Sequence, residues 1–221
     1  MKILGRIGTF LSILILLTFC HSYSHSTGEQ SFTKGTEYAA QGKFEQAMEE
    51  FRKVSKDDPY YQLTERALNV IEDVRDQEVE SKMAVHLFRG MAGVLKKQWD
   101  QAIKECNKAI DMNPGHPVAY YYRGNAYHNK DQYHKAISDY NETIAVDSRF
   151  AMAYFLRGHA YQDIGQVDQA ISDFSKAVEI DPRDDVAYAR RGDCYRDKGQ
   201  YDEAISDYTK AIGINPRDAW A

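Results

Sequence analysis

The chain has 221 residues, 28% of them charged and 43% hydrophobic, the balance of a soluble globular protein with one or two domains and a sizeable core. Its net charge is −5, and setting aside the first 26 residues removes Lys2 and Arg6 but no acid, leaving −7. A chain of that sign has no long-range attraction for a phosphate backbone, so no nucleic-acid partner is expected.

Residues 1–26 read as a signal peptide rather than as part of the fold. "MKILGRIG" carries two positive charges, "TFLSILILLTF" is apolar, and "CHSYSHS" supplies small residues with cleavage expected after Ser22, Ser24 or Ser26. The apolar run falls well short of the roughly 20 residues that span a bilayer. Membrane attachment is therefore expected only through an uncleaved or lipidated N-terminus. Cys20 closes the run as a lipidated cysteine would, but the large Phe19 stands where such signals carry a small residue. The expected location is the periplasm or cell envelope, or secretion beyond it.

From there the chain repeats itself. Glycine recurs at 90, 124, 158 and 192, alanine at 102, 136, 170 and 204, and an aromatic residue at 140, 174 and 208. Tyr127, Tyr161 and Tyr195 follow the glycines by three; Pro114, Pro182 and Pro216 close units, with Ser148 in the remaining one. Gly35, Tyr38, Ala47, Phe51 and Pro59 repeat the pattern earlier. The units are 28–61, 83–116, 117–150, 151–184 and 185–218. Each reads as two amphipathic helices: small and apolar residues fall at 120, 124 and 127, then at 133, 136, 137, 140 and 144. The glycine lets the two helices approach, facing a large aromatic residue, and the proline ends the second helix. Residues 62–82 break the rhythm and read as an extra or degenerate helix that kinks the array. Residues 219–221 read as the start of a truncated sixth unit.

A cation precedes each glycine, and an acid stands sixteen residues later: Lys34 with Glu50, Arg89 with Glu105, Arg123 with Asp139, Arg157 with Asp173 and Arg191 with Asp207. One fixed spacing across the two helices of every unit predicts a repeated structural ion pair. "RGNAY", "RGHAY" and "RGDCY" are thus read as structural and not as an Arg-Gly tract.

The recurring small residues, tyrosines and prolines resemble the tetratricopeptide-repeat family over residues 28–61 and 83–216. The resemblance implies an all-α, right-handed superhelical solenoid of helix-turn-helix repeats. It also implies that a second row on each first helix lines a concave surface that binds peptides or extended segments. The residues of that row, with Val118, Val186 and Ala189 among them, are Tyr121, Asn125, His128, Met152, Phe155, His159, Gln162, Asp193 and Arg196. An alternative leaves Tyr121 and Phe155 packed on neighbouring helices. Members that clamp acidic chaperone termini use a Lys/Asn, Asn, Lys/Arg set; the matching Tyr121, Asn125, Leu156, Val186 and Arg190 fit at two of five places, so that partner is not expected.

No phosphate loop, nucleophile motif, His-Glu-x-x-His or Cys-x-x-Cys is present, so no enzymatic activity and no cofactor are expected. His128 and His159 share a face near Asp163 and Asp193, but a metal needs three or four converging ligands. The two helices are expected to hold the rings several ångströms apart, so no metal site is predicted. Cys106 and Cys194 each replace a small apolar residue and are expected as buried free thiols. The expected function is a non-enzymatic scaffold or adaptor for a protein or peptide. The alternative is an assembly protein that forms a homo-oligomer through an uncapped C-terminal face, with Trp220 in the contact.

Overall fold

The computed structural model describes residues 27–56, 58–74 and 78–216, so the expected signal peptide and Trp220 lie outside the described residues. Eleven helices occur among the described residues, and no strand. They are α1 (Thr27–Ala40), α2 (Phe44–Phe51), α3 (Tyr61–Val74), α4 (Glu78–Leu95), α5 (Trp99–Met112), α6 (Pro117–His128), α7 (Tyr133–Val146), α8 (Ala151–Asp163), α9 (Val167–Ile180), α10 (Asp185–Asp197) and α11 (Tyr201–Ile214). The described residues form two compact units that divide between Phe88 and Arg89. No described helix is long and apolar enough to cross a membrane.

In the first unit α1 packs on α2, and α2 on α3. The core is aromatic: Phe32 lies 5.8 Å from Phe51 and 5.3 Å from Tyr60, and Phe51 lies 6.2 Å from Phe88. The helix between the repeating units, α3, buries Ala67, Val70 and Ile71 at helical spacing.

In the second unit each first helix packs against its own second helix and against the preceding one: α6 lies between α5 and α7, α8 between α7 and α9, α10 between α9 and α11. One helix pair cannot bury its apolar stripe alone, so stacking builds the core from pair to pair. The predicted glycine–aromatic contact is present. A Cβ on Gly124, Gly158 or Gly192 would meet Tyr140, Phe174 or Tyr208 at 2.8 to 3.1 Å. Cys106 departs from the sequence reading. It faces Gly90 in the slot that the later pairs give to those large aromatics, so it replaces a large residue and not a small one. Cys194 does stand at the small position, where Ala126 and Ala160 are buried in the preceding pairs.

The tight link between the helices of each pair needs one left-handed residue. Gly42, Gly165 and Gly199 supply it with φ near +75° to +77°, and Lys97 and Asp131 take φ +57° at the same place. Second helices end on Asn113, Asp147 and Asp181, whose side chains accept from the backbone N–H two residues on, at 3.0 to 3.1 Å. That Asx turn explains why Ser148 serves as well as a proline: the reversal is already set one residue earlier.

Tyr140 carries a testable flaw. Its ring is fully buried and its hydroxyl has no hydrogen-bond partner, whereas the Tyr208 hydroxyl donates to Asp193 at 2.8 Å. A buried polar group left unpaired costs about 1–3 kcal/mol. Tyr140→Phe, which copies Phe174 of the next pair, should raise the denaturant midpoint, while Tyr208→Phe should leave it unchanged or lower it.

Candidate functional site

The repeated arginines tie three helices together. The Arg123 Nε and Nη2 donate to the two carboxylate oxygens of Asp139 at 2.8 and 2.6 Å; Arg157 does the same to Asp173 and Arg191 to Asp207, all within 2.6 to 2.8 Å. The remaining nitrogen of each fork reaches back to the preceding pair: Arg123 Nη1 to Asn107 at 2.7 Å, Arg157 Nη1 to Asn141 at 2.6 Å, Arg191 Nη1 to Ser175 at 3.0 Å. Each guanidinium also lies over a tyrosine ring, Tyr120, Tyr154 or Tyr188, at 5.3 to 5.5 Å. A lysine could not make this planar fork, which explains arginine at all three places. Lys34, with Glu50 at 2.6 Å, holds the simpler version in the first unit. Glu105 is buried and accepts from Lys108 at 2.9 Å and Gln101 at 3.1 Å. The "RG" pairs are therefore structural. Asn107, Asn141 and Ser175 escaped the sequence reading, although they recur at the same 34-residue interval, sixteen residues before each arginine.

The predicted groove residues divide into two groups. Tyr121, Phe155 and His159 are buried, at 3%, 7% and 5% exposure, which corrects their assignment to an accessible surface. Tyr121 stacks on Phe150 at 4.9 Å, and Phe155 packs on Phe174 at 5.7 Å. Tyr121 belongs to the joint between pairs, because Phe150 leads into the next first helix, whereas Phe155 packs within its own pair against the second helix α9. Asn125, Met152, Gln162 and Asp193 are half-buried, and Arg196 is exposed. Asp193 holds Arg196 at 3.1 Å and accepts from Tyr208.

The histidines are the larger departure. The His128 and His159 rings lie 5.1 Å apart, edge to face, with Asp163 between them. The Asp163 Oδ2 is 2.9 Å from His128 Nε2 and 3.2 Å from His159 Nδ1. The rings are several ångströms apart as expected, but their nitrogens come within 3.3 Å of each other and share one Asp163 oxygen, because first helices of consecutive pairs touch directly, α6 against α8. Burial pushes the His159 imidazole down, against the pull of Asp163, so it is neutral at physiological pH. Burial would raise Asp163, but the bonds from His128 and His159 overrule it and hold its carboxyl well below the usual range. Elsewhere, burial pushes the Cys106 and Cys194 thiols up to about 12, so both are protonated and unreactive at neutral pH.

Helix pairs stacked through glycine–aromatic contacts, sewn by arginine forks and presenting a part-exposed row along their first helices, define an all-α helical-repeat solenoid. Models of the tetratricopeptide repeat match residues 31–59, 105–138, 124–165, 151–184 and 186–218. The chain belongs to the tetratricopeptide-repeat family. No curated protein matches it in sequence. Among solved structures it is similar to a crystal structure of MamA, with a TM-score of 0.61 and 24% identity, covering 85% of this chain and 97% of that one. It is also similar to MamA from residue 41 onward of Desulfovibrio magneticus RS-1, with a TM-score of 0.59 and 19% identity over 88% and 98% of the two chains. At these identities the likeness is one of fold.

Proposed function

We propose that the protein is a non-enzymatic scaffold that holds a peptide or protein segment on the surface formed by α6, α8 and α10. The observation that carries this reading is the row Asn125, Met152, Gln162, Asp193 and Arg196, which stays in register on three consecutive first helices and keeps exposed polar and apolar atoms after the core is complete. A mixed row of amides, a thioether and charges suits an extended segment that offers backbone hydrogen bonds and one apolar edge. The signal-like residues 1–26 support action in the periplasm or cell envelope of a bacterial cell.

The test must avoid the buried members, since changing Tyr121 or Phe155 would disturb stacking. Asn125→Ala/Gln162→Glu/Arg196→Glu should release a partner cross-linked in the envelope fraction of the native host, with the far-UV circular dichroism unchanged. Retention of the same species by the triple variant contradicts the reading.

One observation favours a second reading, self-association. On α11, Tyr201 and Ile205 are 64% and 62% exposed, and Ile212 47%. Their counterparts one repeat earlier, Val167, Ile171 and Val178, pack into the core around Phe174. Under that reading Ile205→Glu dissociates a homo-oligomer in sedimentation, and the groove triple does not.

A further inference from the structure

We propose that His128, His159 and Asp163 form a divalent transition-metal site joining α6 to α8, with zinc the best-matched ion. The three candidate ligand atoms converge in pairs: His128 Nε2 to Asp163 Oδ2 at 2.9 Å, His159 Nδ1 to the same oxygen at 3.2 Å, and the two ring nitrogens to each other at 3.3 Å. Ligands about 2.0–2.1 Å from a zinc ion at angles from about 90° up to tetrahedral lie roughly 2.9 to 3.4 Å apart. An ion about 2.05 Å from each atom would therefore sit about 1 Å out of their plane, a tripod that the side chains already form.

Hydrogen bonding alone accounts for this triangle less well. Two ring N–H groups can both donate to Oδ2, but they then face each other at 3.3 Å with no bond between them. One ring can instead donate to the other, but the accepting nitrogen then has no proton for the carboxylate. A cation satisfies all three atoms at once, using an imidazole lone pair from each ring. The surroundings suit such an ion. His159 is buried, and its Nδ1 is turned toward His128 and Asp163 rather than toward solvent. Asp163 supplies a single negative charge and is 22% exposed in its side chain, which opens the site to solvent on one side. Arg190, the cation whose charge reaches His159, is answered by Asp193 at 3.7 Å. Two imidazoles and one carboxylate select borderline ions such as zinc over magnesium or calcium. The open fourth position is left for water or for a side chain of a bound partner.

The probe is cobalt(II), which reports low-coordinate sites by intense visible d–d absorption. Full-length protein is stripped with chelator and titrated with Co²⁺, alongside His128→Gln and Asp163→Asn. Both changes lie at the open side of the site, and far-UV circular dichroism checks that each variant is folded. The expected result is one equivalent of Co²⁺ with visible bands, displaced by Zn²⁺, and affinity reduced more than about tenfold in both variants. Thermal melts give a second readout: Zn²⁺ should raise the Tm of the wild type and not that of Asp163→Asn. Absence of visible bands in the wild type, or equal binding by wild type and both variants, overturns the proposal. Neither outcome bears on the groove, which the preceding test addresses through other residues.

Discussion

Arg157→Leu should destabilise the repeats by about 3 kcal/mol, the cost of stranding a buried charge, seen as a lowered midpoint in denaturant titration. Asp173 is 4% exposed and receives both of its strong bonds from Arg157, and Asn141 loses its guanidinium partner in the same change. The related pair shows how the balance lies: burial raises the Asp139 carboxyl even though Arg123 grips it from both sides, so desolvation is only partly offset by the partner. The Arg123–Asp139 pair therefore contributes position more than net stability. Adding Asp173→Asn to Arg157→Leu should accordingly recover more than half of the loss, because it removes the stranded charge. A cost for Arg157→Leu below about 1 kcal/mol would place the forks with ordinary surface ion pairs.

Gly35→Ala should cost about 2 kcal/mol, against the gain of roughly 1 kcal/mol that alanine ordinarily brings to a helix. The added methyl would stand 2.5 and 2.6 Å from two carbons of the Phe51 ring. That ring is fully buried and is hemmed in by Phe32 and Phe88, so it cannot swing aside. Gly158→Ala is the control. Its Cβ would meet Phe174 and Asp173 at 3.1 to 3.2 Å, where a shift of a few tenths of an ångström suffices, and the helix gain should leave it near neutral. Unfolding free energies of the two variants from denaturant titration should therefore fall on opposite sides of a loss of about 1 kcal/mol. Equal effects would mean that the glycines set no packing distance.

What could be read from the sequence was whatever repeats. The 34-residue period alone places Gly124 opposite Tyr140 and Arg123 beside Asp139, because each unit solves the same packing problem. Asn107, Asn141 and Ser175 obey the period too, but a neutral acceptor carries no charge signal and reads as ordinary surface. Tyr121 and Phe155 show a second limit. Helical spacing reports which face a residue occupies, not whether the next helix covers that face, and Phe150 covers Tyr121. The histidine cluster is a third case. His128 and His159 share a face of consecutive first helices in the sequence, but they are 31 residues apart and off the period, so the repeat does not say how close their nitrogens come; the 3.3 Å between them depends on the direct approach of α6 and α8. Cys106 differs, since the period alone places it in the register of Tyr140, Phe174 and Tyr208, and its contact with Gly90 agrees with that register rather than with a small-residue position.

The central claim is that the first-helix surface of residues 117–216 is where a partner sits. A photo-cross-linking residue placed at Met152 or Gln162 in the native host tests it most directly, with the same residue at the exposed Glu142 and Ile205 as comparison positions. Met152 and Gln162 should trap one common species in the envelope fraction, and Glu142 should trap none. Cross-links formed only from Ile205, and only to a second copy of the chain, would contradict this and make α11 the working surface.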